Sequence, residues 1–254
     1  MQRAARTGLL PLVSGITLVT AIVWIYGAVA GAELTNWDDD RFLTYNPLFH
    51  SDGLTYLYAA LTRVQFEAYQ PLHLISYLPD HYLWPDWPSG FHLVNVALFV
   101  VDIVLLWQLV RRHASGHAAF AAAALFALHP VCVEPVAWVT ARKDLVMMLF
   151  FVLALRCEDE HHGPRPSLRA LVFTLCALLS KSASACLPIV VFAWLRWVQR
   201  RPLREALVRS AGHAVLALAV SVFVYAVWRD HAMIASVPLA QRPLEVAATL
   251  ATYT

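Results

Sequence analysis

Charged residues are scarce in this sequence. Asp, Glu, Lys and Arg make up 14% of its 254 residues, whereas a soluble domain carries about a quarter. Hydrophobic residues make up 59%, and a single water-soluble core cannot bury that much apolar surface. The bilayer must therefore solvate much of the chain. The small net charge of +2, without a basic-aromatic pattern, also argues against a nucleic-acid partner.

Cysteine is also sparse, and its spacing excludes two classes of site. The four cysteines fall singly within or beside apolar runs, and no CxxC pair occurs. Neither a zinc site nor a disulfide framework is expected from such spacing. We interpret these residues as small apolar side chains. They are Cys132, Cys157, Cys176 and Cys186.

Seven apolar runs approach the ~20 residues that cross a bilayer. They are, approximately, 8–30, 91–110, 117–139, 145–155, 168–180, 183–198 and 211–228. The fourth and fifth are short, so they must tilt or lie where the bilayer is thinned. We predict an all-α, polytopic membrane helix bundle of about seven spans. The first run is longer than a signal-peptide core and is interpreted as an uncleaved anchor.

The positions of Lys and Arg indicate the orientation of the bundle. With the N-terminus in the cytoplasm, twelve of them fall inside and seven outside. The first outer loop, about 31–90, is then the longest non-spanning segment. Its apolar 54–61 stretch and its Trp/Tyr-rich 79–88 stretch predict interfacial helices on the outer leaflet. Because no eukaryotic targeting feature is evident, we favour a bacterial inner membrane over the endoplasmic reticulum.

Polar side chains gather at the predicted outer ends of several spans. Each alone could be a helix-end residue whose charge reaches water. Both signs on one side of the bundle instead indicate one shared polar cavity. The residues, in chain order, are Asp38, Asp39, His92, Asn95, His129, Glu134, Arg142, Lys143, Asp144 and Lys181.

These residue types suit transfer of a sugar from a lipid phosphate to a hydroxyl. A carboxylate can accept the proton of the attacking hydroxyl, so Asp38 and Asp39 are predicted as base and orienting partner, in either order. Arg142, Lys143 and Lys181 could hold the phosphate. The adjacent carboxylates could also hold a divalent ion, although no dedicated metal site or other cofactor is predicted.

His92, His129 and Glu134 are further substrate-binding candidates, each with a structural alternative. His92 could form a hydrogen bond between helices. His129 could satisfy backbone groups opened by Pro130. Glu134 could form an ion pair with Arg142 or Lys181.

Several blocks together resemble a known family. Trp37-Asp38-Asp39-Asp40, followed by Asn46-Pro47, resembles the first-loop signature of the GT-C membrane glycosyltransferases. The similarity is to the protein O-mannosyltransferase-like branch, whose members often continue into tetratricopeptide repeats. Blocks at 69–72, 90–95, 128–145 and 179–188 agree in order and spacing. Two positions depart from the pattern: Leu98-Phe99 stands where relatives often carry Leu-His, and Ser182 where they often carry Pro or Glu.

The resemblance implies transfer of a sugar, typically mannose, from a polyprenyl- or dolichyl-phosphate donor. The acceptor would be a hydroxyl of a protein Ser or Thr, or of a glycan, at the extracytoplasmic face. It also implies inversion at the sugar carbon and a first-loop Asp near the reacting hydroxyl. Residues 1–254 would form the N-terminal part of a GT-C domain, apparently truncated, because further spans and repeats are expected.

Two other classes of function are compatible with the same composition. A transporter or flippase for an anionic lipid-linked substrate also needs cations at this depth, although it predicts charges along a path through the bilayer. Here the charges crowd one side, with Asp102 the exception. A structural bundle, or an inactive fragment, would use the polar cluster only to hold helices together. Replacing Asp39 with Asn separates these hypotheses, because only an enzyme would lose transfer activity.

Overall fold

The computed structural model describes residues 9–65 and 69–230, and these form eleven α-helices joined by short 3₁₀ and π turns. Their bounds are α1 Leu9–Tyr26, α2 Gly53–Thr62, α3 Pro71–Ile75, α4 Leu78–Leu83, α5 Pro88–Val110, α6 Gly116–Ala127, α7 Val133–Ala137, α8 Arg142–Glu160, α9 Leu168–Ser180, α10 Leu187–Ala193 and α11 Leu203–Asp230. The all-helical prediction is therefore confirmed for the described part of the chain.

Three helical segments are long and apolar enough to cross a membrane: Pro11–Gly31, Pro88–Val110 and Leu203–Val227. A fourth results if Gly116–Ala127 and Pro130–Ala137, which meet at 58°, form one broken span. Pro130 explains the break, because proline cannot continue the hydrogen bonding of the preceding helix. The predicted runs at 145–155, 168–180 and 183–198 are also helical, but their length and composition do not identify them as spans.

The helices pack around an apolar core in the middle of the bundle. α8 packs on α5 and α9, α1 on α5, and α10 on α11. Leu18 and Ile22 of α1 meet Phe99 and Ile103 of α5 in the largest buried cluster. On the outside of α1, Trp24 is 83% exposed. Such side chains fit a surface that lipid covers.

The outer loop folds into a small layer with a core of its own. The two faces of α2 explain this core. One face of the helix buries Tyr56, Ala59 and Ala60, while Leu54 and Tyr58 remain exposed. Asp52 caps the helix by accepting hydrogen bonds from two backbone N–H groups. Hydrogen bonds from Thr55 hold the pKa of Asp52 below its usual value. The 54–61 stretch lies within this helix, Gly53–Thr62, and its interfacial position stays a prediction.

Gly90 allows the loop to close onto the start of α5. A Cβ at this position would lie 2.3 Å from a Trp84 ring carbon. Glycine is therefore required where the indole packs against the helix. Trp84 in turn donates from Nε1 to Asp80 at 3.0 Å, which fixes one face of that carboxylate.

Polar side chains join the helix ends in two separate layers. The first, called here the Arg142 layer, contains Asp39, Asp80, Asn95, Thr140 and Arg142. The second, called the Glu158 layer, contains Arg112, His113, Glu158, Asp159, Arg209 and His213. α5 and α8 each have one end in either layer, as alternating chain directions require. The compartment that each layer faces stays a prediction from the Lys and Arg distribution.

The Glu158 layer ties three helices together. Glu158 accepts from Arg209 Nε at 2.9 Å and from the Ser167 backbone N–H at 2.7 Å. Neither the Arg209 nor the Glu158 side chain has exposed surface. The pair therefore links α8 to α11 and, through Ser167, to the start of α9.

Candidate functional site

Asp39 is fully buried and both of its carboxylate oxygens accept hydrogen bonds. Oδ2 accepts from the Thr35 backbone N–H at 3.0 Å and from the Thr35 hydroxyl at 2.9 Å. Oδ1 accepts from the Thr140 backbone N–H at 2.9 Å. These bonds fasten the first loop to the turn before α8. In this arrangement Asp39 positions backbone and has no face open to a substrate.

Asp38, its neighbour, is half-buried and makes no hydrogen bond or ion pair with the rest of the described chain. The adjacent Trp37 ring contacts Trp138 edge-on, with centroids 5.9 Å apart. Lys143 Nζ lies 5.6 Å from the centroid of the same Trp138 ring. The unbonded Asp38 carboxylate is therefore next in sequence to Trp37, whose ring contacts Trp138. The partly exposed Lys143 lies near the same Trp138 ring.

Arg142 has no exposed surface, and all five of its N–H groups are occupied. The acceptors are Asn95 Oδ1 at 2.7 Å, Asp80 Oδ2 at 2.5 Å and Oδ1 at 3.1 Å, and the carbonyls of Ser76 at 3.1 Å and Phe91 at 2.9 Å. The guanidinium carbon also lies 4.4 Å from the Tyr77 ring centroid. This arrangement gives Arg142 a structural role and leaves it no N–H for a phosphate. Phosphate binding by Arg142 would require one of these hydrogen bonds to break, and it stays a prediction.

Lys181 lies at the same side of the bundle and is accessible. Its Nζ pairs with Asp144 at 2.5 Å, and the two side chains are 30% and 25% exposed. Ser182, the next residue, lines a cavity of about 200 Å³ between the outer loop and α11. The same cavity is lined by Tyr69 and Gln70 of the outer loop and by Tyr225 of α11. Lys181 is thus next to a cavity with mixed polar and aromatic walls.

The other three predicted residues lie in different settings. His92 is buried one turn before Asn95, and neither ring nitrogen has a hydrogen-bond partner in the described chain. His129 is exposed, and its Nδ1 accepts from the Val131 backbone N–H at 3.1 Å. This is the alternative that the sequence offered for a residue before Pro130. Glu134 is exposed and forms no ion pair with Arg142 or Lys181.

Asp80, Tyr77 and His73 are central to this layer, and the sequence did not single them out. Tyr77 donates to the Val139 carbonyl at 2.9 Å, and His73 Nε2 lies 3.0 Å from the Tyr77 oxygen. Burial, assisted by the Lys143 and Arg142 charges, holds the pKa of His73 well below its usual range. Burial raises the pKa of Tyr77. Both rings are therefore neutral near pH 7, as buried groups beside cations should be.

No group of three or more His, Cys, Asp and Glu side chains in residues 9–65 and 69–230 is arranged to hold a metal ion. The first-loop carboxylates account for this locally. Both carboxylate oxygens of Asp39 accept hydrogen bonds. They are therefore not free to coordinate a metal ion together with Asp38.

Comparison with known proteins gives one family. A model described as dolichyl-phosphate-mannose-protein mannosyltransferase matches residues 88–228, more than half of the chain. Protein O-mannosyl-transferase TMTC1 of Mus musculus is 31% identical over 206 residues, which cover 71% of this chain and 22% of that protein. Protein O-mannosyl-transferase TMTC3 of Mus musculus is 28% identical over 120 residues, covering 47% and 13%. Protein O-mannosyl-transferase TMTC4 of Homo sapiens is 38% identical over 103 residues, covering 35% and 14%.

The chain thus spans less than a quarter of the length of these curated relatives. No solved structure matches it.

Proposed function

The chain belongs to the dolichyl-phosphate-mannose-protein mannosyltransferase family, and on that premise we propose that it supplies the catalytic loop of a glycosyltransferase. The enzyme moves mannose from a polyprenyl-phosphate donor to the hydroxyl of a protein Ser or Thr. The reaction takes place at the extracytoplasmic face of the membrane, with the N-terminus of the chain in the cytoplasm. The membrane is the bacterial inner membrane, and the bundle crosses it seven times.

The observation that supports this proposal is the difference in hydrogen bonding between the carboxylates of Asp38 and Asp39. Asp39 is buried and saturated by three donors, whereas Asp38 keeps its carboxylate unbonded within the described chain. An unbonded, half-buried carboxylate can accept a proton, and a rigid neighbour can fix its position. We therefore assign Asp38 as the general base and Asp39 as a positioning residue.

The proposed step is a single inverting displacement. Asp38 takes the proton of the acceptor hydroxyl while the hydroxyl oxygen forms a bond to the sugar C1. The bond from C1 to the phosphate oxygen breaks, and its electron pair leaves with the polyprenyl phosphate. Lys143 and Lys181 are partly exposed cations next to the Arg142 layer, and they stabilise the negative charge of that leaving group.

The cavity beside Lys181 suits the lipid-linked part of the donor. Its walls combine apolar residues of α9 and α11, such as Leu178 and Val224, with Gln70 and Ser182. A polyprenyl chain needs the apolar wall, and a phosphate or sugar needs the hydrogen-bonding groups. Arg142 acts in this proposal through the loop and helix ends that it holds, as a positioning residue.

Transport is the rival function, and Asp102 is the residue that would favour it. It is fully buried within α5, and neither carboxylate oxygen has a partner in the described chain. A transport path needs several such groups in sequence. The ion pairs of the described chain lie instead in or beside the two layers. They include the Lys181–Asp144 pair near the Arg142 layer and the contacts of Glu205 with Arg201 and Arg209 near the Glu158 layer.

The test replaces the first-loop acids one at a time in the complete protein. Asp38→Asn should lower the kcat for mannose transfer to a Ser/Thr peptide about 10²–10⁴-fold, the usual contribution of a general base, with unchanged thermal stability. Asp39→Asn should lower both activity and stability. Asp40→Asn is the matched control and should leave both close to wild type. An Asp38→Asn enzyme with wild-type kcat would refute the assignment.

A further inference from the structure

A groove between α1 and α5 lies far from the proposed active site, near the Glu158 layer. Its volume is about 530 Å³, within the range of ligand pockets, roughly 300–1,000 Å³. Leu12 and Ile16 of α1 form one rim and are 58% and 56% exposed. Gly15 lies between them, and the Trp107 ring forms the inner wall. Both helices are apolar enough to span a membrane, so the groove opens toward lipid.

Arg111 lies at one end of the groove, and it differs from the neighbouring Arg112 in having no ion-pair partner in the described chain. Arg112 contacts Asp159 and Glu160, whereas Arg111 has no carboxylate partner in the described chain. The Arg111 guanidinium lies 4.8 Å from the Trp107 ring centroid, so the charge stays at the mouth of the groove. No acidic residue of the described segments 9–65 and 69–230 lines the groove. An anion held here would meet one uncompensated positive charge.

A second polar group points to the same kind of ligand. Gln108 lines the groove, and its carbonyl oxygen accepts from Arg156 at 2.7 Å. This bond fixes the amide, and its NH₂ group remains without a partner in the described chain. Arg111 directly follows the last residue of α5, Val110, which is the depth at which an apolar span meets the lipid headgroups.

We propose that this groove binds one anionic phospholipid, with an acyl chain along α1 and α5 and its phosphate on Arg111. Basic sites between membrane helices recognise acidic headgroups in this way. The lysine and arginine distribution places the site in the cytoplasmic leaflet, opposite the proposed transfer site. The proposal does not depend on the transferase function.

The experiment is native mass spectrometry of the purified chain in a neutral detergent. Phosphatidylglycerol or phosphatidylcholine is titrated in, and the bound lipids are counted. Wild type should bind one phosphatidylglycerol in preference to phosphatidylcholine. Arg111→Gln should weaken phosphatidylglycerol binding about fivefold, as expected for one interfacial charge, and leave phosphatidylcholine unchanged. Ile16→Trp keeps the charge but fills the groove, and should weaken both lipids.

Arg196→Gln is the matched control, since Arg196 is an exposed cation in the turn Trp194–Val198 at the same end of the bundle. It should bind phosphatidylglycerol as wild type does. Equal losses for Arg111→Gln and Arg196→Gln would overturn the proposal, because they would show unspecific attraction to a basic surface. The same spectra report mass, and a lipid-free dimer that Ile16→Trp dissociates would assign the groove to a second copy and also overturn it.

Discussion

Replacing Arg142 with Met tests whether this arginine holds the outer layer together. The substitution leaves the Asp80 carboxylate buried without its counter-ion, which costs about 3–5 kcal/mol. It also removes the donors to the carbonyls of Ser76 and Phe91 and to Asn95 Oδ1. A buried acceptor left unsatisfied costs about 1–3 kcal/mol. Since relaxation and entering water recover part of this, we expect a loss of about 5 kcal/mol.

The cysteines of the chain provide the assay. Cys132 and Cys157 are 5% and 9% exposed, so they react with a thiol-specific dye only when the bundle opens. Cys176 is half-buried and Cys186 is exposed, so in the background Cys176 is replaced by Ala and Cys186 by Ser. For a domain of this size, 1 kcal/mol shifts Tm by about 2–4 °C. The Arg142→Met variant should therefore melt about 10–20 °C below its background.

Two variants decide between a network and a simple ion pair. Asp80→Asn with Arg142→Met removes the uncompensated charge, but the three other acceptors remain without donors. It should recover only part of the lost Tm. Arg63→Gln, at an exposed position of the outer loop, should shift Tm by less than about 2 °C. If Arg142→Met lowers Tm as little as Arg63→Gln does, the reasoning is refuted. If the double variant recovers the wild-type Tm in full, Arg142 stabilises the layer only through its ion pair with Asp80.

Two further predictions use the same dye assay. His73 has a folded-state pKa well below 6.5, so the unfolded chain takes up a proton on acidification that the folded chain does not. The contribution of His73 to the free energy of unfolding is therefore fully present above pH ~6.5. It is lost as the pH falls below that value, by up to about 1.4 kcal/mol per pH unit. His73→Gln should flatten the fall of Tm between pH 6.5 and 5, and an unchanged slope would contradict this. Glu158→Gln leaves the buried Arg209 with only its longer ion-pair contact to Glu205, at 3.5 Å, and should cost about 3 kcal/mol, the lower end for a broken buried pair. Glu160→Gln, at an exposed position, should cost less than about 1 kcal/mol. Equal Tm shifts would count against a buried pair.

The apolar runs were sufficient to predict helices, because a segment of that composition must satisfy its backbone internally wherever it lies. They were not sufficient to count spans. α8 illustrates why: its central residues are apolar, yet both ends carry charged residues, such as Lys143 and Glu160. Length and composition cannot separate a short span from a helix buried by its neighbours. The described structure identifies three, or at most four, spans on those grounds.

The polar layer was only partly predictable for a different reason. Asn95 and Arg142 were expected to meet because both lie at predicted outer helix ends, and they do. Asp80 was missed, because a loop carboxylate 62 residues from its partner leaves no periodic signal in the sequence. The sequence also cannot distinguish an arginine whose N–H groups are available to bind phosphate from one whose five N–H groups already donate to acceptors within the protein. Only coordinates reveal that difference, since both require the same residue type at the same depth.

The comparisons and the structure support different parts of the site. The family match covers residues 88–228 and therefore includes Arg142 and Lys181 but not the first-loop acids. The distinction between Asp38 and Asp39 comes from hydrogen bonding alone.

The acceptors of Arg142 also impose an order on biosynthesis. Ser76, Asp80 and Phe91 leave the ribosome 51 to 66 residues before the arginine that joins them. Until α8 packs against it, the nascent outer loop lacks the cation that pairs with Asp80, so this carboxylate must stay hydrated. Maturation of that loop is thus linked to arrival of a later helix, so a chain interrupted before α8 leaves the loop without the cation that closes it.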